Sequence, residues 1–233
     1  MTLAIMQPYF LPYIGYLQLM QAVDKFVFYD DVAFINRGWI NRNRLLVNGQ
    51  EYLFTIPLKD ASQNRRICDI ALSDDRKWRG KLLKTIEQSY RKAANFPEVY
   101  PLLEKVVNLE AENIAAYIER GFVFINEFLG IQTEIVPSST VYGNDHLKAQ
   151  DRILDICQRE GAIRYINPIG GMEIYDREKF RESGIDIHFL QSRRVSYPQF
   201  SRTEFIPWLS IADVLMFNSP EAVQSMLNEY DLI

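Results

Sequence analysis

Two adjacent carboxylates, Asp30 and Asp31, close an aromatic segment near the start of the chain. Adjacent carboxyl groups can share a proton or raise each other's pKa, so one of them could take a proton from an attacking amine or hydroxyl. Because neighbouring residues of a strand point to opposite faces, only one of the pair would face a site. The alternative is a carboxylate that pairs with one of the nearby arginines. His188 is a third candidate acid or base, but its alternating apolar surroundings favour a hydrogen-bonded sheet residue.

Residues 36–44 combine three arginines, three asparagines and a tryptophan. Arginines give forked hydrogen bonds to phosphate or carboxylate, asparagine amides can bind sugar hydroxyls, and the Trp39 ring offers a face for a sugar or base. Asn41 and Arg42 are therefore candidate ligand contacts. The alternative is an exposed loop with solvated arginines.

A basic segment begins at Arg76, and Lys77, Lys81 and Lys84 recur at helical spacing on one face. Such a row could hold a diphosphate or an acidic carrier, with Lys84 and Tyr90 as the candidate contacts. A charged row of this kind is also typical of the solvated side of an amphipathic helix.

Further candidate contacts lie in the second half of the chain, where polar residues or glycines follow predicted strands. The serines could contact ligand hydroxyls, and an arginine lies on the next helix. The two glycines would allow close backbone approach or a tight turn. An aromatic loop could close over a substrate. These residues are Ser138, Ser139, Arg152, Gly170, Gly171, Tyr197 and Gln199.

The elements that position these residues begin at residue 3. A short apolar strand is followed by a loop with two prolines, a glycine, a helix and a second strand, which is a β-loop-α-β unit. Gln7, Tyr9 and Tyr16 lie in or beside this loop. Open α/β sheets bind ligands at the carboxyl ends of their strands, and free N–H groups at the start of a helix favour anions.

The remaining pattern predicts an α/β fold with a mainly parallel, Rossmann-like sheet flanked by helices. Strands are expected at 3–8, 26–30, 133–137, 164–167 and 185–190, in a single domain over 1–233 with a hairpin and helical insertion at about 39–130. Asn48-Gly49 predicts a hairpin, and 65–72 a further strand. Helices are expected at 76–95, at 100–129 with a break near Gly121 and a cap at Gly130, and at 145–160, 176–182, 210–217 and 220–230.

Composition narrows the function classes. The chain has 233 residues, 48% of them apolar, and a net charge of −4, which argues against broad binding to nucleic acid or anionic lipid. The absence of a long apolar run or a signal-peptide pattern predicts a cytoplasmic protein without membrane insertion. Cys68 and Cys157 are expected to be reduced core thiols, and two isolated histidines give no metal-ligand spacing. No P-loop or dinucleotide fingerprint is present, so neither a nicotinamide cofactor nor kinase chemistry is expected; the cofactor is otherwise unknown.

Several ordered motifs resemble the WbqC-like proteins over nearly the whole chain. They are Ile5-Met-Gln-Pro-Tyr-Phe-Leu-Pro-Tyr-Ile-Gly-Tyr16, residues 24–31, Trp39-Ile-Asn-Arg-Asn43, Ser138-Ser139, residues 152–157, Gly161-Ala162, Tyr165-Ile-Asn-Pro-Ile-Gly-Gly171 and Leu209-Ser-Ile-Ala-Asp213. Members of that family are typically found among enzymes of O-antigen and other polysaccharide biosynthesis. The resemblance implies modification of a nucleotide-linked sugar or glycan precursor.

The first loop also resembles that of nucleotidylyltransferases and ligases of the pantothenate synthetase type. Those proteins carry His-x-Gly-His at the helix start, where the histidines touch ATP phosphates, and this chain has Tyr13-Ile-Gly-Tyr16 there. Tyrosine can donate a hydrogen bond but cannot carry positive charge near neutral pH. This departure implies that the phosphates belong to a nucleotide-sugar substrate.

Together these residues predict a cleft at the carboxyl ends of the strands. The leading hypothesis is an acyl- or aminoacyltransferase that forms an amide on a nucleotide-linked amino sugar, with Asp31 accepting the amine proton and Arg42 and loop N–H groups holding the diphosphate. The partners are then the nucleotide sugar and an unidentified acyl or aminoacyl donor, and a homo-oligomer is left open. The alternatives are a noncatalytic sugar-nucleotide-binding or assembly protein of the same pathway and an ATP-dependent, adenylate-forming amide ligase.

Overall fold

A computed structural model describes residues 1–200 and 204–233, and its centre is a six-stranded sheet. In chain order the strands of this sheet are β1 (Thr2–Met6), β2 (Lys25–Phe28), β5 (Glu134–Val136), β6 (Arg164–Pro168), β7 (Asp186–Ser192) and β8 (Tyr230–Leu232). Their spatial order is β5-β2-β1-β6-β7-β8, and β8 alone runs antiparallel to its neighbour. The predicted fold class, a mainly parallel α/β sheet, is confirmed.

Helices cover both faces of this sheet. They are α1 (Ile14–Gln21), α2 (Lys77–Tyr90), α3 (Phe96–Val107), α4 (Ile114–Leu129), α5 (Ala149–Arg159), α6 (Arg177–Glu182), α7 (Ile211–Phe217) and α8 (Pro220–Met226). The side-chain alternation of a strand explains the two layers: Leu3 and Ile5 pack in a core with α5 and α6, whereas Ala4 packs on the other side with α1 and the remaining helices. Both faces are therefore buried, as a parallel sheet requires.

The path of the chain creates a crevice beside β1. From β1 the chain passes through α1 to β2 on one side, and β6 later joins β1 on the other side. Connections that leave a strand in opposite directions open a space at the carboxyl ends of the two central strands, where ligands bind in α/β folds. The carboxyl ends of β1 and β6 are therefore the expected place for a site.

A separate antiparallel hairpin joins β3 (Arg42–Val47) to β4 (Gln50–Thr55). Asn48 and Gly49 both have positive φ, 53° and 76°, as a two-residue hairpin turn of the primed type requires. The predicted hairpin is confirmed, and the Leu46 N–H donates to the Tyr90 hydroxyl at 2.7 Å, which ties β3 to α2.

The predicted strand at 65–72 is wrong. A short 3-10 helix, Ile67–Asp69, replaces it, with isolated bridges at Ala33–Arg66 and Leu58–Leu72. The buried side chains Ile67 and Ile70 lie three residues apart, a spacing that fits a helical turn and not the alternation of a strand, and the Ile70 N–H donates to the Ile67 carbonyl at 3.2 Å.

The helical region predicted at 100–129 consists of two helices, and the break lies at 108–113, not near Gly121. Asn113 caps α4 by accepting a hydrogen bond from the Ala116 N–H at 2.8 Å. Gly121 lies inside α4, where it permits close packing of the two helices. An added Cβ would lie 3.2 Å from the side chain of Val106 of α3. The predicted cap at Gly130 is confirmed by its φ of 67°.

The helix predicted at 220–230 also needs correction, because α8 ends at Met226 and the chain continues into β8. The Arg193 N–H donates to the Glu229 carbonyl at 2.9 Å, and the Arg193 guanidinium binds the Asp231 carboxylate. Pairing with the end of β7 thus draws the last residues into the sheet. None of the helices in the described ranges combines the length and apolar character needed to cross a membrane.

Candidate functional site

A cleft of about 520 Å³ opens at the carboxyl ends of β6 and β7, beside the first turn of α1. The loop after β1 forms one side with Tyr9 and Tyr13, and the segments that end β6 and β7 contribute Gly170 and Gln191. This is the crevice that the strand order creates, so the fold itself selects the location.

The first turn of α1 faces this cleft without a side-chain cap. Tyr13 precedes the helix in an extended conformation, no acidic residue lies in the first turn, and Gly15 lines the cleft. A Cβ on Gly15 would lie 2.3 Å from the Tyr13 ring, so the glycine allows this ring to pack against the start of the helix. The uncapped N–H groups and the helix dipole favour an anion here.

Arg44 supplies positive charge to the wall formed by β3. Its guanidinium lies 5.3 Å from the centre of the Trp39 ring, pairs with Glu51 at 2.9 Å and donates to the Trp208 carbonyl at 3.2 Å. Its Nε is buried and has no hydrogen-bond partner among the described residues. The side chain as a whole is 27% exposed, and Nη1 and Nη2 each carry a second N–H besides those that bind Glu51 and Trp208, so Arg44 keeps donor capacity at the edge of the cleft.

Two glycines at the end of β6 differ in their surroundings. An added Cβ on Gly170 would meet nothing within 4 Å, whereas one on Gly171 would lie 1.9 Å from the Asn167 amide. Gly170 lines the cleft and Gly171 is buried beneath it. The group that approaches Gly171 closely is thus the Asn167 side chain of the protein and not a ligand, whereas Gly170 borders the open space of the cleft.

The cleft offers hydrogen bonding and stacking more than acid–base chemistry. Its described lining contains no carboxylate, histidine, cysteine or lysine. Burial raises the pKa of Tyr9 and of Tyr13, so both hydroxyls remain protonated near neutral pH and act as donors. Aromatic rings, an arginine and an uncapped helix start suit a ligand with phosphate, sugar and planar groups.

The predicted catalytic pair lies elsewhere, in a buried polar cluster formed by Asp30, Asp31, Ser138, Ser139 and Arg152. Asp31 accepts from the Arg152 guanidinium at 2.5 Å and from the Ser139 hydroxyl, and the Asp31 and Arg152 side chains are each 3% exposed. Asp31 is therefore ion-paired, but with an arginine of α5 and not with one of the nearby arginines of residues 36–44 that the sequence suggested.

Asp30 belongs to the same cluster. Its Oδ1 accepts from the Ser138 hydroxyl at 2.8 Å and from the Ser139 N–H at 3.0 Å. Burial raises the pKa of Asp30, although the hydrogen bond from Ser138 acts in the opposite direction. Strand alternation does not separate the two carboxylates, because β2 ends at Phe28 and both side chains reach Ser139. None of the five residues is in the described lining of the cleft.

A second buried group is organised by Asp213 of α7, which the sequence did not single out as a site residue. Its carboxylate accepts from the Tyr90 and Tyr197 hydroxyls, both at 2.7 Å, and from the Gln199 amide at 2.9 Å. Burial raises the pKa of Asp213 against the effect of these hydrogen bonds. The group connects α2, α7 and the aromatic loop, so three predicted substrate contacts meet at a carboxylate of the protein itself. The one signal in the sequence was the motif that ends at Asp213.

In the loop of residues 36–44, the two side chains predicted to contact a ligand instead bind backbone carbonyl groups of the protein. The Asn41 amide donates to the Ile56 carbonyl at 2.7 Å. Arg42 donates to the Gly38 carbonyl at 2.8 Å and to the Arg37 carbonyl. These bonds shape the loop that carries Trp39.

The remaining predicted residues are dispersed. The Tyr16 hydroxyl is buried and donates to the Gln7 carbonyl at 2.8 Å. Lys84 is exposed on α2, and the His188 Nε2 lies 2.7 Å from the Asp186 carboxylate on β7. Of the predicted site residues, Tyr9 and Gly170 line the cleft, and so does Trp39, whose ring was considered as a face for a sugar or base. The catalytic and binding roles assigned from the sequence stay predictions.

Several cleft residues were not recognised from the sequence, among them Gln191, Ser192 and Trp208. Asn43 and Arg44 also line the cleft, and both belong to the segment 36–44 that was considered for phosphate and sugar binding. Nothing in the sequence marked Gln191, Ser192 or Trp208. In the described ranges, no group of three or more His, Cys, Asp and Glu side chains is arranged to hold a metal ion.

Comparison with known proteins identifies the family of this chain. No solved structure matches the chain. The chain is 26% identical over 222 residues to an uncharacterized protein of Mycobacterium tuberculosis (strain ATCC 25618 / H37Rv), Rv1507c, and the alignment covers 94% of each chain. The model of the WbqC-like protein family matches residues 7–225, from the loop after β1 to the last turn of α8. Both cleft walls and both buried polar groups fall within that match, and the chain belongs to the WbqC-like protein family.

Proposed function

We propose that this protein binds a nucleotide-linked amino sugar in the cleft and transfers an acyl or aminoacyl group to its amine, as part of polysaccharide biosynthesis. The observation that carries the proposal is the combination of aromatic walls, Arg44 and the uncapped start of α1 at the carboxyl ends of β1 and β6. A nucleotide sugar presents a planar base, a diphosphate and hydroxyl groups, which match these features.

The diphosphate is assigned to the start of α1 and to Arg44. Free backbone N–H groups and the helix dipole stabilise anionic oxygens, and a guanidinium gives charge-assisted hydrogen bonds to them. Arg44 already donates to the Trp208 carbonyl and to Glu51, so its position is fixed before a ligand arrives. Gln191 and Ser192, at the end of β7, supply amide and hydroxyl groups for the sugar.

The chemical step is attack of the sugar amine on the activated carbonyl of the donor. The new C–N bond forms, the bond from the carbonyl to the leaving group breaks, and the amine proton passes to the leaving group or to water. Asp31 is not assigned as the base, because it is ion-paired with Arg152 in the buried cluster. The proposed contribution of the protein is positioning of the two reactants and N–H stabilisation of the carbonyl oxygen.

A noncatalytic sugar-nucleotide-binding protein is the second candidate. It is favoured by one observation, the lack of a carboxylate or histidine in the described lining of the cleft. Such a protein would use the same base, phosphate and sugar contacts and would need no proton acceptor.

The test of binding is a thermal-shift screen with ATP and with UDP-, dTDP- and GDP-linked sugars, including amino sugars. A ligand at about 100 times its Kd adds about 2.7 kcal/mol to the free energy of unfolding. We expect one amino-sugar nucleotide to stabilise the wild type and Lys84→Ala, whose exposed lysine lies outside the described lining, but not Arg44→Leu. A blank across the panel contradicts the proposal, and stabilisation by ATP alone supports the ligase alternative.

The test of transfer uses the sugar nucleotide that binds. It is incubated with the protein and a panel of acyl and aminoacyl thioesters, and the products are analysed by mass spectrometry. An amide that forms only with the protein present supports the transferase. Tight binding without product across the panel supports the second candidate.

A further inference from the structure

Trp208 has an unusual conformation at the edge of the cleft. Its φ is +60°, in the left-handed region that bulky side chains rarely adopt, and its side chain is 41% exposed. The indole lines the cleft and meets the Tyr13 ring edge-on, with 6.0 Å between ring centres. Strained conformations of this kind persist where the surroundings enforce them, and they concentrate at functional sites.

The flanks of Trp208 are fixed by hydrogen bonds. On one side the Gln199 amide donates to the Ile206 carbonyl at 3.0 Å and accepts from the Ile206 N–H at 2.9 Å. On the other side the Ser210 N–H donates to the Arg44 carbonyl at 2.9 Å, and the Ser210 hydroxyl donates to the Leu11 carbonyl at 2.7 Å. These anchors explain how the strained backbone is held.

The other two tryptophans each have a cationic neighbour. Trp39 has the guanidinium groups of Arg42 and Arg44 at 5.7 and 5.3 Å from its ring centre. Trp78 is buried, 9% exposed, and in contact with Arg79. Trp39 also lines the cleft and is 39% exposed, but among the described residues no cation lies over the Trp208 ring, so a base can stack on Trp208 without displacing a cation.

Trp208 also lies beside the proposed phosphate contact. The Arg44 guanidinium donates to the carbonyl of Trp208 at 3.2 Å, so the cation lies against the backbone of the residue that carries the indole. A nucleotide presents its base and its phosphates on the two sides of one ribose. A free sugar phosphate lacks the base and could not use both groups.

We propose that Trp208 is the stacking platform for the nucleobase of a nucleoside diphosphate, and that its left-handed backbone is kept because it aims the indole into the cleft. This inference rests on the proposed function and names the part of the ligand that Trp208 recognises. Stacking of a base on an aromatic side chain is favourable and tolerant of base identity. The platform therefore distinguishes nucleotide sugars from sugar phosphates.

The experiment compares Trp208→Gly, Trp208→Ala and Trp208→Phe in the full chain. Isothermal titration measures the Kd for the nucleotide sugar, the nucleoside diphosphate and the sugar 1-phosphate. We expect the Gly and Ala variants to bind the first two ligands about tenfold more weakly or worse, and the Phe variant to stay within about threefold of wild type. Binding of the sugar 1-phosphate should be unchanged in all three variants.

Thermal unfolding of the same variants tests the strain. Gly and Ala both remove the ring, but only Gly accepts a positive φ without a steric penalty, so Trp208→Gly should have the higher Tm. At an unstrained position the order would be reversed. A Tm of Trp208→Ala equal to or above that of Trp208→Gly would overturn the strain part of the inference.

The binding outcomes separate this inference from the function on which it rests. If the wild type binds the nucleotide sugar and the Gly and Ala variants bind it within twofold, the platform is wrong and the proposed function stands. An equal loss for the sugar 1-phosphate would place the contact at the sugar or phosphate and overturn base stacking. If the wild type binds no nucleotide sugar, the proposed function and the platform both fail.

Discussion

Arg44 and Arg152 belong to two regions at the same edge of the sheet, the cleft and the buried polar cluster. Arg152 is 3% exposed and is held by Asp31 and by Asn144, whose side-chain oxygen accepts from its Nε at 2.9 Å. Arg44 is 27% exposed at its side chain, shares a solvent-accessible pair with Glu51 and keeps a buried Nε without a partner among the described residues. The Arg152 guanidinium is buried against a carboxylate of the protein, whereas the Arg44 guanidinium is partly exposed at the cleft.

The comparison shows that a charged residue in the sequence does not by itself mark a ligand site. Removing a carboxylate and a guanidinium from water is costly, and the fold recovers the cost only by pairing them closely. Asp31 and Arg152 are therefore expected to serve the structure. A partly solvated arginine against aromatic rings, such as Arg44, retains the ability to exchange partners.

The largest effect is expected from Arg152→Met. This change leaves Asp31 buried without its cation, and breaking a buried pair in this way typically costs about 3–5 kcal/mol. Urea unfolding followed by circular dichroism measures the loss. The double variant Arg152→Met with Asp31→Asn should lose less than the sum of the single changes, because no charge is then stranded. If Arg152→Met lowers the free energy of unfolding by less than about 1 kcal/mol, the proposed difference between the structural role of Arg152 and the ligand-binding role of Arg44 is wrong.

Gly171→Ala should be the next most damaging. Its Cβ would lie 1.9 Å from the Asn167 amide, and Asn167 is buried and accepts from the Tyr165 hydroxyl at 3.0 Å. Overpacking of this kind costs about 1–3 kcal/mol. Gly170→Ala is the matched control, because an added Cβ meets nothing within 4 Å, and its stability should stay within about 0.5 kcal/mol of wild type. Thermal unfolding that ranks the two variants equally would refute this distinction.

Arg44→Met should have a small effect on stability, despite removing a charge as Arg152→Met does. The ion pair with Glu51 is partly exposed, and the contact with Trp39 is a single cation–π interaction, so we expect a loss of about 1 kcal/mol or less. The same urea assay measures it. A loss as large as that of Arg152→Met would show that Arg44 serves the fold and not a ligand.

The smallest effect is a pH dependence in the buried cluster. Burial holds the pKa of Asp30 above its value in the unfolded chain, so the folded state retains a proton between the two values. The stability that Asp30 contributes therefore falls as the pH rises through that window. Relative to Asp30→Asn, the wild type should be more stable at about pH 4 than at about pH 7. Denaturant midpoints at both pH values measure this difference, and a difference that grows with pH would contradict the assigned pKa direction.

Much of the fold was predictable because its signals are local. The alternation of Leu3, Ala4 and Ile5 between two cores follows from strand geometry, and Asn48-Gly49 specifies its turn through backbone conformations that these two residues accept. The strand predicted at 65–72 failed because its buried side chains, Ile67 and Ile70, are spaced for a helical turn and not for strand alternation.

The site was less predictable because its residues come from distant parts of the chain. Tyr9 and Gly170 were identified, since each follows a predicted strand and the carboxyl ends of parallel strands meet. Trp208 carried no signal, because its left-handed backbone is set by Gln199 and Ser210 through tertiary hydrogen bonds.

Apolar periodicity and turn residues act over a few positions, so the sequence specified the five parallel strands, the two apolar layers and the crevice at their carboxyl ends, whereas β8 was set by its pairing with β7. Only the tertiary structure decided which charges remain available. Asp31 and Arg152 are 121 residues apart in the chain, and nothing in either neighbourhood specifies that they meet. Ion pairing depends on distance in space and on burial, which the sequence encodes only through the complete fold.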